Sequence, residues 1–429
     1  MQPYSLDDLA DLDPDTLASH ARALANAYRH ADHRTPDRSG PYGVRVRGRT
    51  RAGRLARLQC AHWWRRRLKQ RQRQAREYRR LLAGMVGADA DRYASRAAVT
   101  DDQERRRRTL EWASRQALQG PSGQRAPLLP MLEQAAERRY AELIAWTRGL
   151  DDYATAAGMV PVLVTLTLPP EWHPNPSQGR SSWSGADPRD AAAELSRRWD
   201  RLSRELRRRL SPWYALRVRE PHADACPHDH LITYVLPNEV HHLQEIVAEH
   251  FPGRSGDVEQ ITDARGSTYA TKYIAKHTHG KTGDASDATE AARTCRTIWT
   301  MRTFAFIGLP RGARTLYRIM RRLGPLEHPH DRAMQDAAQA GRVAEFLSQL
   351  QTPSPAVLTE TRTDRYGDPL SVATGIITSD GEALSLPRYE IVPAADLPAP
   401  LPSYSELAKG SAPATGTPAS SEGLPPPEP

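Results

Sequence analysis

The stretch Leu216-Arg-Val-Arg-Glu-Pro-His-Ala-Asp-Ala-Cys-Pro-His-Asp-His-Leu-Ile-Thr-Tyr-Val235 constrains the fold more than any other part of the chain. Two apolar runs flank a short turn containing Pro, Asp and Ala, the pattern of an antiparallel hairpin over residues 214–236. Alternate residues of a strand share a face, so His228 and His230 point the same way. With residues 223–227 as the loop, His222 is expected opposite His228, and Glu220 opposite His230. Directly opposed side chains project from one face about 4.5–5.5 Å apart, which brings one carboxylate and three imidazoles towards a single point. Imidazole and carboxylate with open positions suit a divalent metal that also accepts a substrate oxygen. The expected ligands are His228, His230 and Glu220, with His222 in reserve or as a partner that orients a ligand. The His-x-His spacing alone favours a solvated polar strand; the opposed Glu-x-His and a tyrosine pair downstream shift the reading to the metal.

That pair is Tyr269 and Tyr273, four residues apart in Ser267-Thr-Tyr-Ala-Thr-Lys-Tyr-Ile-Ala-Lys276. On a helix this spacing puts both phenols on one face, about 5–6 Å apart at Cβ. A core stripe would rarely interleave Lys272, Lys276, Thr268 and Thr271 with its aromatic residues. The chemical reading is a pair of interchangeable nucleophiles, each able to hold a covalent intermediate, with a nearby cation lowering the phenol pKa. Lys272 and Lys276 are candidates to offset phenolate or phosphate charge, or are plain phosphate contacts.

The segment resembles the HUH endonucleases, and more closely the replication gene A proteins of temperate tailed bacteriophages. The blocks that carry the resemblance are Val164-Thr-Leu-Thr-Leu-Pro-Pro-Glu-Trp-His173, Arg217-Val-Arg-Glu-Pro-His222 with Pro227-His-Asp-His230, and Tyr269-Ala-Thr-Lys-Tyr-Ile-Ala-Lys276. A fourth is Trp299-Thr-Met-Arg-Thr-Phe-Ala-Phe-Ile-Gly-Leu-Pro310, and Arg57-Leu-Gln-Cys-Ala-His-Trp-Trp-Arg-Arg-Arg-Leu68 is similar to the family's basic amino-terminal region. The resemblance implies an α+β fold whose central antiparallel sheet is of the palm, ferredoxin-like HUH type, with helices on one face and the tyrosine helix laid near the metal. It also implies a metal-dependent (Mg or Mn) endonuclease that nicks one strand of origin DNA through a 5′-phosphotyrosine and starts rolling-circle replication. The released 3′ hydroxyl would prime a DNA polymerase, and the second tyrosine would cleave the regenerated origin. Two departures stand out: the middle residue of the histidine motif, usually hydrophobic, is Asp229, and the usual Asp-Gly turn is Asp224-Ala-Cys226. Asp229 falls on the opposite sheet face, where a buried carboxylate needs a basic partner or partial exposure.

Charge agrees with a nucleic-acid partner. The net charge is +9 and the sequence pI is near 9.6. Residues 51–80 hold twelve Lys or Arg against the single acid Glu77, with Trp63, Trp64 and Tyr78 among them. The run reads as a basic helix whose aromatic residues either pack on a neighbour or stack on bases. Like charges at helical spacing repel unless phosphates neutralise them, so Arg65, Arg66, Arg67, Lys69, Arg71 and Arg73 are the expected DNA contacts, with Arg105–Arg108 and Arg204–Arg209 extending that surface.

Along the chain, the sequence reads as a basic, mostly helical region over 1–155, an endonuclease domain over 156–325, and a helix with a small β appendage over 326–397. From 398 to 429 a disordered tail rich in Pro, Ser and Gly is expected. Strands are expected at 160–168 and 297–307, and helices at 5–30, 190–210, 238–250, 266–278 and 311–323, with only a short connection between 250 and 266. Cys60, Cys226 and Cys295 are too far apart for a zinc module or disulfide framework, and no run approaches the roughly eighteen apolar residues of a membrane helix. A soluble, cytoplasmic protein with no membrane partner follows. Gly280-Lys-Thr282 lacks the earlier glycine of a phosphate-binding loop, so strand separation would need a separate helicase. Two other readings remain open: a two-tyrosine transposase or relaxase, and a non-catalytic DNA-binding protein.

Overall fold

The computed structural model describes residues 7–29, 40–176, 181–275, 287–350 and 355–394. They fall in two compact units, one drawn from residues 1–103 and 137–386, the other from 104–136 and 387–429. Lys276, Gly280-Lys-Thr282 and the segment from 398 to 429 lie outside the described residues.

In the larger unit, α1 (Pro14–Arg29), α2 (Arg51–Leu58) and α3 (Ala61–Leu82) come first. The buried residues of α3 include Trp63, Trp64, Leu68, Ala75 and Leu81, at the three- and four-residue steps of one helix face. Trp63 and Trp64 join Leu17, Leu24 and Leu58 in a core cluster, and Trp64 Nε1 donates to the Leu58 carbonyl at 2.7 Å. These aromatic residues therefore pack on neighbours and are not free to stack on bases. Helix α4 (Arg96–Ala113) and helix α5 (Leu128–Ala156) each contribute to both units. The smaller unit holds β1 (Gln116–Gln119) and β2 (Arg125–Pro127), so Gly120–Gly123 is a hairpin turn where a break between helices was expected.

A five-stranded sheet organises the larger unit. It consists of β3 (Val160–Leu166), β4 (Tyr214–Pro221), β5 (Pro227–Val235), β6 (Gly256–Gln260) and β7 (Phe304–Ile307), in the order β6-β3-β5-β4-β7 with every neighbour antiparallel. Edge strand β6 occupies the stretch expected to be a mere connection. At the other edge, α9 (Asp287–Trp299) claims Thr297–Trp299, which the sequence reading placed in a strand.

Helices cover both faces, which corrects the expectation of helices on one. On one face, Val162, Val164 and Leu166 of β3 and Leu231 and Val235 of β5 pack with α6 (Pro188–Arg209) and α7 (Val240–His250) through Leu195, Leu202, Leu243 and Ile246. On the other, Leu216 and Val218 of β4 and Ile232 and Tyr234 of β5 pack with Leu143, Leu150 and Ala154 of α5 and with Ala270 and Ile274 of α8 (Gly266–Ala275). The continuous apolar runs of β4 and β5 are the signature of strands covered on both sides. Each fully buried leucine or isoleucine contributes about 1.5–3 kcal/mol.

Helices α10 (Ala313–Met320), α11 (Pro329–Gln339) and α12 (Val343–Gln349) follow, then a sheet of β8 (Ala356–Thr363), β9 (Pro369–Ile377) and β10 (Ala383–Ser385). Its β8–β9 turn docks on α2: Asp368 Oδ1 accepts from the Thr50 backbone at 2.8 Å and its hydroxyl at 2.6 Å, and Asp368 pairs with Arg57. Gly53 is required there, because a Cβ would stand 2.1 Å from Asp368 Oδ1. In the smaller unit, β11 (Glu390–Pro393) pairs with β1. Among the described residues, no helix is long and apolar enough to cross a membrane.

Candidate active site

The β4–β5 ladder pairs Glu220 with His228 and Val218 with His230, and closes at Pro221 and Pro227. The register is thus shifted by two residues from the sequence reading, which set Glu220 against His230 and His222 against His228. Side chains alternate with period two, so a shift of two keeps the same residues on the same face. The turn is residues 222–226: the His222 N–H donates to the Cys226 carbonyl at 2.7 Å, and the Ala225 N–H to the His222 carbonyl at 2.9 Å. Ala225 takes φ 68 where a glycine would be unstrained, and its methyl is buried against Leu81, Val86 and Met301. Burial of that methyl, worth about 0.8 kcal/mol, offsets much of a left-handed cost of about 1–2 kcal/mol.

On the resulting face, one donor atom each from Glu220, His228 and His230 lies within 4.8 Å of the others. His228 Nε2 and His230 Nε2 are 2.8 Å apart, and Glu220 Oε2 lies 3.9 Å from the first and 3.5 Å from the second. Two ligands at right angles, each about 2.1 Å from an ion, would be about 3.0 Å apart, so the donor set fits a divalent cation. Glu220 and His228 are buried. Thr165, directly opposite His230 on β3, has its Oγ1 3.1 Å from His230 Nδ1, which turns Nε2 towards Glu220. Neither Thr165 nor its neighbour on the same face, Thr167, was singled out from sequence. The signal was present in their period-two spacing beside the apolar Val164-Thr-Leu-Thr-Leu168 positions.

His222 stands one layer back. Its ring lies 4.0 Å from that of His228, its Nε2 is 3.1 Å from Thr167 Oγ1, and burial, with the charge of His173 next, lowers it to about 4. His173 Nδ1 meets Asp224 Oδ2 at 3.0 Å; burial pulls that imidazole down, but the Asp224 hydrogen bond and charge outweigh it and the net shift is upward.

The tyrosine helix α8 is held at its start. Gly266 lets the backbone pass where a Cβ would be 2.7 Å from the Tyr234 hydroxyl, and buried Asp151 accepts from Ser267 Oγ at 2.7 Å and from Arg265 Nε at 2.9 Å. Ala270 and Ile274 are buried in the core, and Tyr269 and Tyr273 pack against it only partly buried. The two phenols are not equivalent: the Tyr273 ring stacks on His230 with centroids 4.4 Å apart, whereas the Tyr269 hydroxyl donates to Asp263 Oδ1 at 3.3 Å. Burial and then Glu220 raise the Tyr273 pKa; the charge of Asp263, then burial, raises that of Tyr269. Carboxylates and burial, rather than a cation, dominate the surroundings of both phenols among the described residues. Lys272 is exposed and forms no ion pair among the described residues.

Of the six expected DNA contacts on α3, Arg65, Arg66, Arg67 and Lys69 are exposed, Arg73 is half-buried beside Gln70, and Arg71 is buried. Among the other basic runs, Arg107 and Arg108 bond to Glu104, Arg208 to Glu205 and Arg209 to Glu249, so part of that charge is met within the chain.

An α+β protein with an antiparallel sheet, a carboxylate–histidine cluster on one face and two tyrosines on the helix beside it is the class these elements define. The chain belongs to the bacteriophage replication gene A protein family, whose model matches residues 7–282. It is 30% identical over 381 residues to the replication gene A protein of Escherichia phage 186, covering 77% of this chain and 54% of that protein. The replication gene A protein of Escherichia phage P2 is 26% identical over 333 residues, 68% of this chain and 44% of its own length. A probable replication endonuclease from a prophage-like region of Escherichia coli O6:H1 is 25% identical over 338 residues, 69% and 42% of the two chains. The chain thus spans about half the length of the curated relatives it matches. No solved structure matches it.

Proposed function

We propose that the protein is a site-specific single-strand DNA endonuclease and strand transferase of the HUH type, which nicks a replication origin and initiates rolling-circle replication of a phage or prophage. The observation that carries this reading is the convergence of Glu220, His228 and His230 within 4.8 Å, with Tyr273 stacked on His230. Membership of the gene A family and the replication endonuclease title of a relative support it.

Glu220, His228 and His230 would hold a divalent ion, Mg or Mn. When bound, that ion polarises the scissile phosphate and offsets charge in the transition state. A tyrosine oxygen attacks phosphorus, the bond to the 3′ oxygen breaks, and that oxygen takes a proton to become a free 3′ hydroxyl. The new 5′-phosphotyrosine bond conserves the phosphodiester energy for rejoining. Each tyrosine loses its proton on attack, and the Asp263 carboxylate, which accepts from the Tyr269 hydroxyl, would receive the proton of Tyr269. Lys272, exposed on the same helix, would meet DNA phosphate; Lys276, outside the described residues, is a second candidate by its place in the sequence. The 3′ hydroxyl would prime a DNA polymerase, and a separate helicase would open the duplex.

The test is to incubate the protein with single-stranded DNA and Mn²⁺ or Mg²⁺ and look for a denaturation-resistant protein–DNA adduct. An adduct that vanishes in Tyr269→Phe/Tyr273→Phe is the expected result. Persistence in the double variant would overturn the nucleophile assignment, and no adduct on any strand would favour a binding protein.

A further inference from the structure

Behind the histidine face lies a cavity of about 430 Å³ that the proposed chemistry does not use. Arg219 lines it, and adjacent residues of a strand project to opposite faces, so it opens on the side of β4 away from Glu220. Ala192 and Ser196 of α6 form one wall, and Trp299 to Arg302, leading into β7, form another. Six further arginines line it: Arg45, Arg47, Arg67, Arg71, Arg189 and Arg302, with no acidic residue among the lining side chains.

Arg219 is neutralised by Asp229, but the others form no ion pair among the described residues. Arg71, only 8% exposed, is aimed by neutral acceptors: its Nε donates to the Tyr42 carbonyl at 2.8 Å and its Nη1 to Gln74 Oε1 at 2.5 Å. Arg189 Nη2 donates to the Gly43 carbonyl at 3.3 Å. Tyr42 and Gly43 both adopt left-handed backbone, φ 57 and φ 63, in the turn that presents these carbonyls. Gln70 and Gln74 in turn donate to the Ile298 carbonyl at 2.6 and 2.8 Å, which fixes α3 against the end of α9. Burial, then the charge of Arg189, lowers Arg71 to about 10, and the more distant charges of Asp187 and Asp190 offset this only in part. Neutral acceptors orient a guanidinium without cancelling its charge, and a partly enclosed cluster of such groups is a preorganised site for phosphate oxygens.

We infer that this cavity grips the phosphate backbone of single-stranded DNA, with Arg71 at its floor and Arg45, Arg47 and Arg302 at its mouth. The inference rests on the DNA reading above and adds to it a second, enclosed point of hold on the other face of the strand that carries Glu220. A strand held there would stay attached to the protein independently of the covalent phosphotyrosine.

The experiment measures binding of a labelled oligothymidylate in EDTA across a salt series. It compares the full chain, Arg47→Ala/Arg302→Ala, and Arg342→Ala/Arg362→Ala as an equal charge loss outside the cavity; melting temperatures verify folding. Two lost phosphate contacts lower the slope of log affinity against log salt by roughly 1.4, and that drop is expected in the cavity variant alone. An unchanged slope, or an equal drop in the control, overturns the inference. A thermal shift with dATP or pyrophosphate that the cavity variant abolishes, without any change in strand binding, overturns it in favour of a free-nucleotide site. A wild-type chain that forms the tyrosine adduct while the cavity variant keeps its slope sinks the cavity alone. One that shows the slope change but no adduct keeps the cavity and sinks the catalytic reading.

Discussion

Arg219 and Asp229 face each other across β4 and β5 as a doubly hydrogen-bonded pair, Nε to Oδ1 at 2.7 Å and Nη2 to Oδ2 at 2.8 Å. Both are buried, Asp229 completely, on the reverse of the strands that present Glu220 and His228. Removing one partner of such a pair strands a charge in the core, so Asp229→Ala should lose about 3–5 kcal/mol of stability. Arg219→Leu/Asp229→Leu removes both charges, leaving only Arg217, 3.8 Å from Asp229, without its carboxylate, and should recover most of that loss. Urea unfolding of the three proteins decides it; a double variant as weak as the single one would mean that the pair itself, not the orphaned charge, supplies the stability.

The candidate metal site should separate cleavage from binding. His228→Ala, His230→Ala and treatment with EDTA are each expected to abolish the DNA adduct while leaving salt-sensitive strand binding in place. Thr165→Val removes the group that orients His230 and should cost about 10–100-fold in metal affinity or cleavage rate. Calorimetric titration with Mn²⁺, alongside gel assays, reads both; proportional loss of binding and cleavage would assign these histidines a structural role.

The tyrosines should be unequal. Tyr273 stacks on His230, whereas the Tyr269 hydroxyl is directed to Asp263. Tyr273→Phe is therefore expected to slow first adduct formation more than Tyr269→Phe, and the double change to eliminate it. Equal rates for the two single variants on one oligonucleotide would refute the asymmetry.

Stability should carry a pH signature from His173. Its folded pKa lies above the unfolded value because Asp224 outweighs burial, so the stabilisation is complete below about pH 6.5 and is lost as pH rises through the folded value. The wild-type advantage over His173→Gln in urea should shrink between pH 6 and pH 8. A constant advantage across that range would show that the His173 contact is insensitive to charge.

The sequence by itself determined the β4–β5 hairpin, the face shared by Glu220, His228 and His230, the tyrosine helix, and the basic character of α3. These are readable because strand and helix periodicities are local: two and 3.6 residues, independent of what packs beyond. Parity survived even though the register was off by two, since only an odd shift would have turned the histidines away.

Tertiary structure decided what depends on neighbours distant in the chain. It buried Arg71 while leaving Arg65, Arg66, Arg67 and Lys69 exposed, a distinction invisible in a run of like charges. It paired Asp229 with Arg219, covered both faces of the sheet, and set Tyr273 rather than Tyr269 against His230. Burial and electrostatic partnership are sums over segments brought together only by folding, so the arginine cavity, assembled from residues 43 to 302, has no trace in any one stretch of sequence.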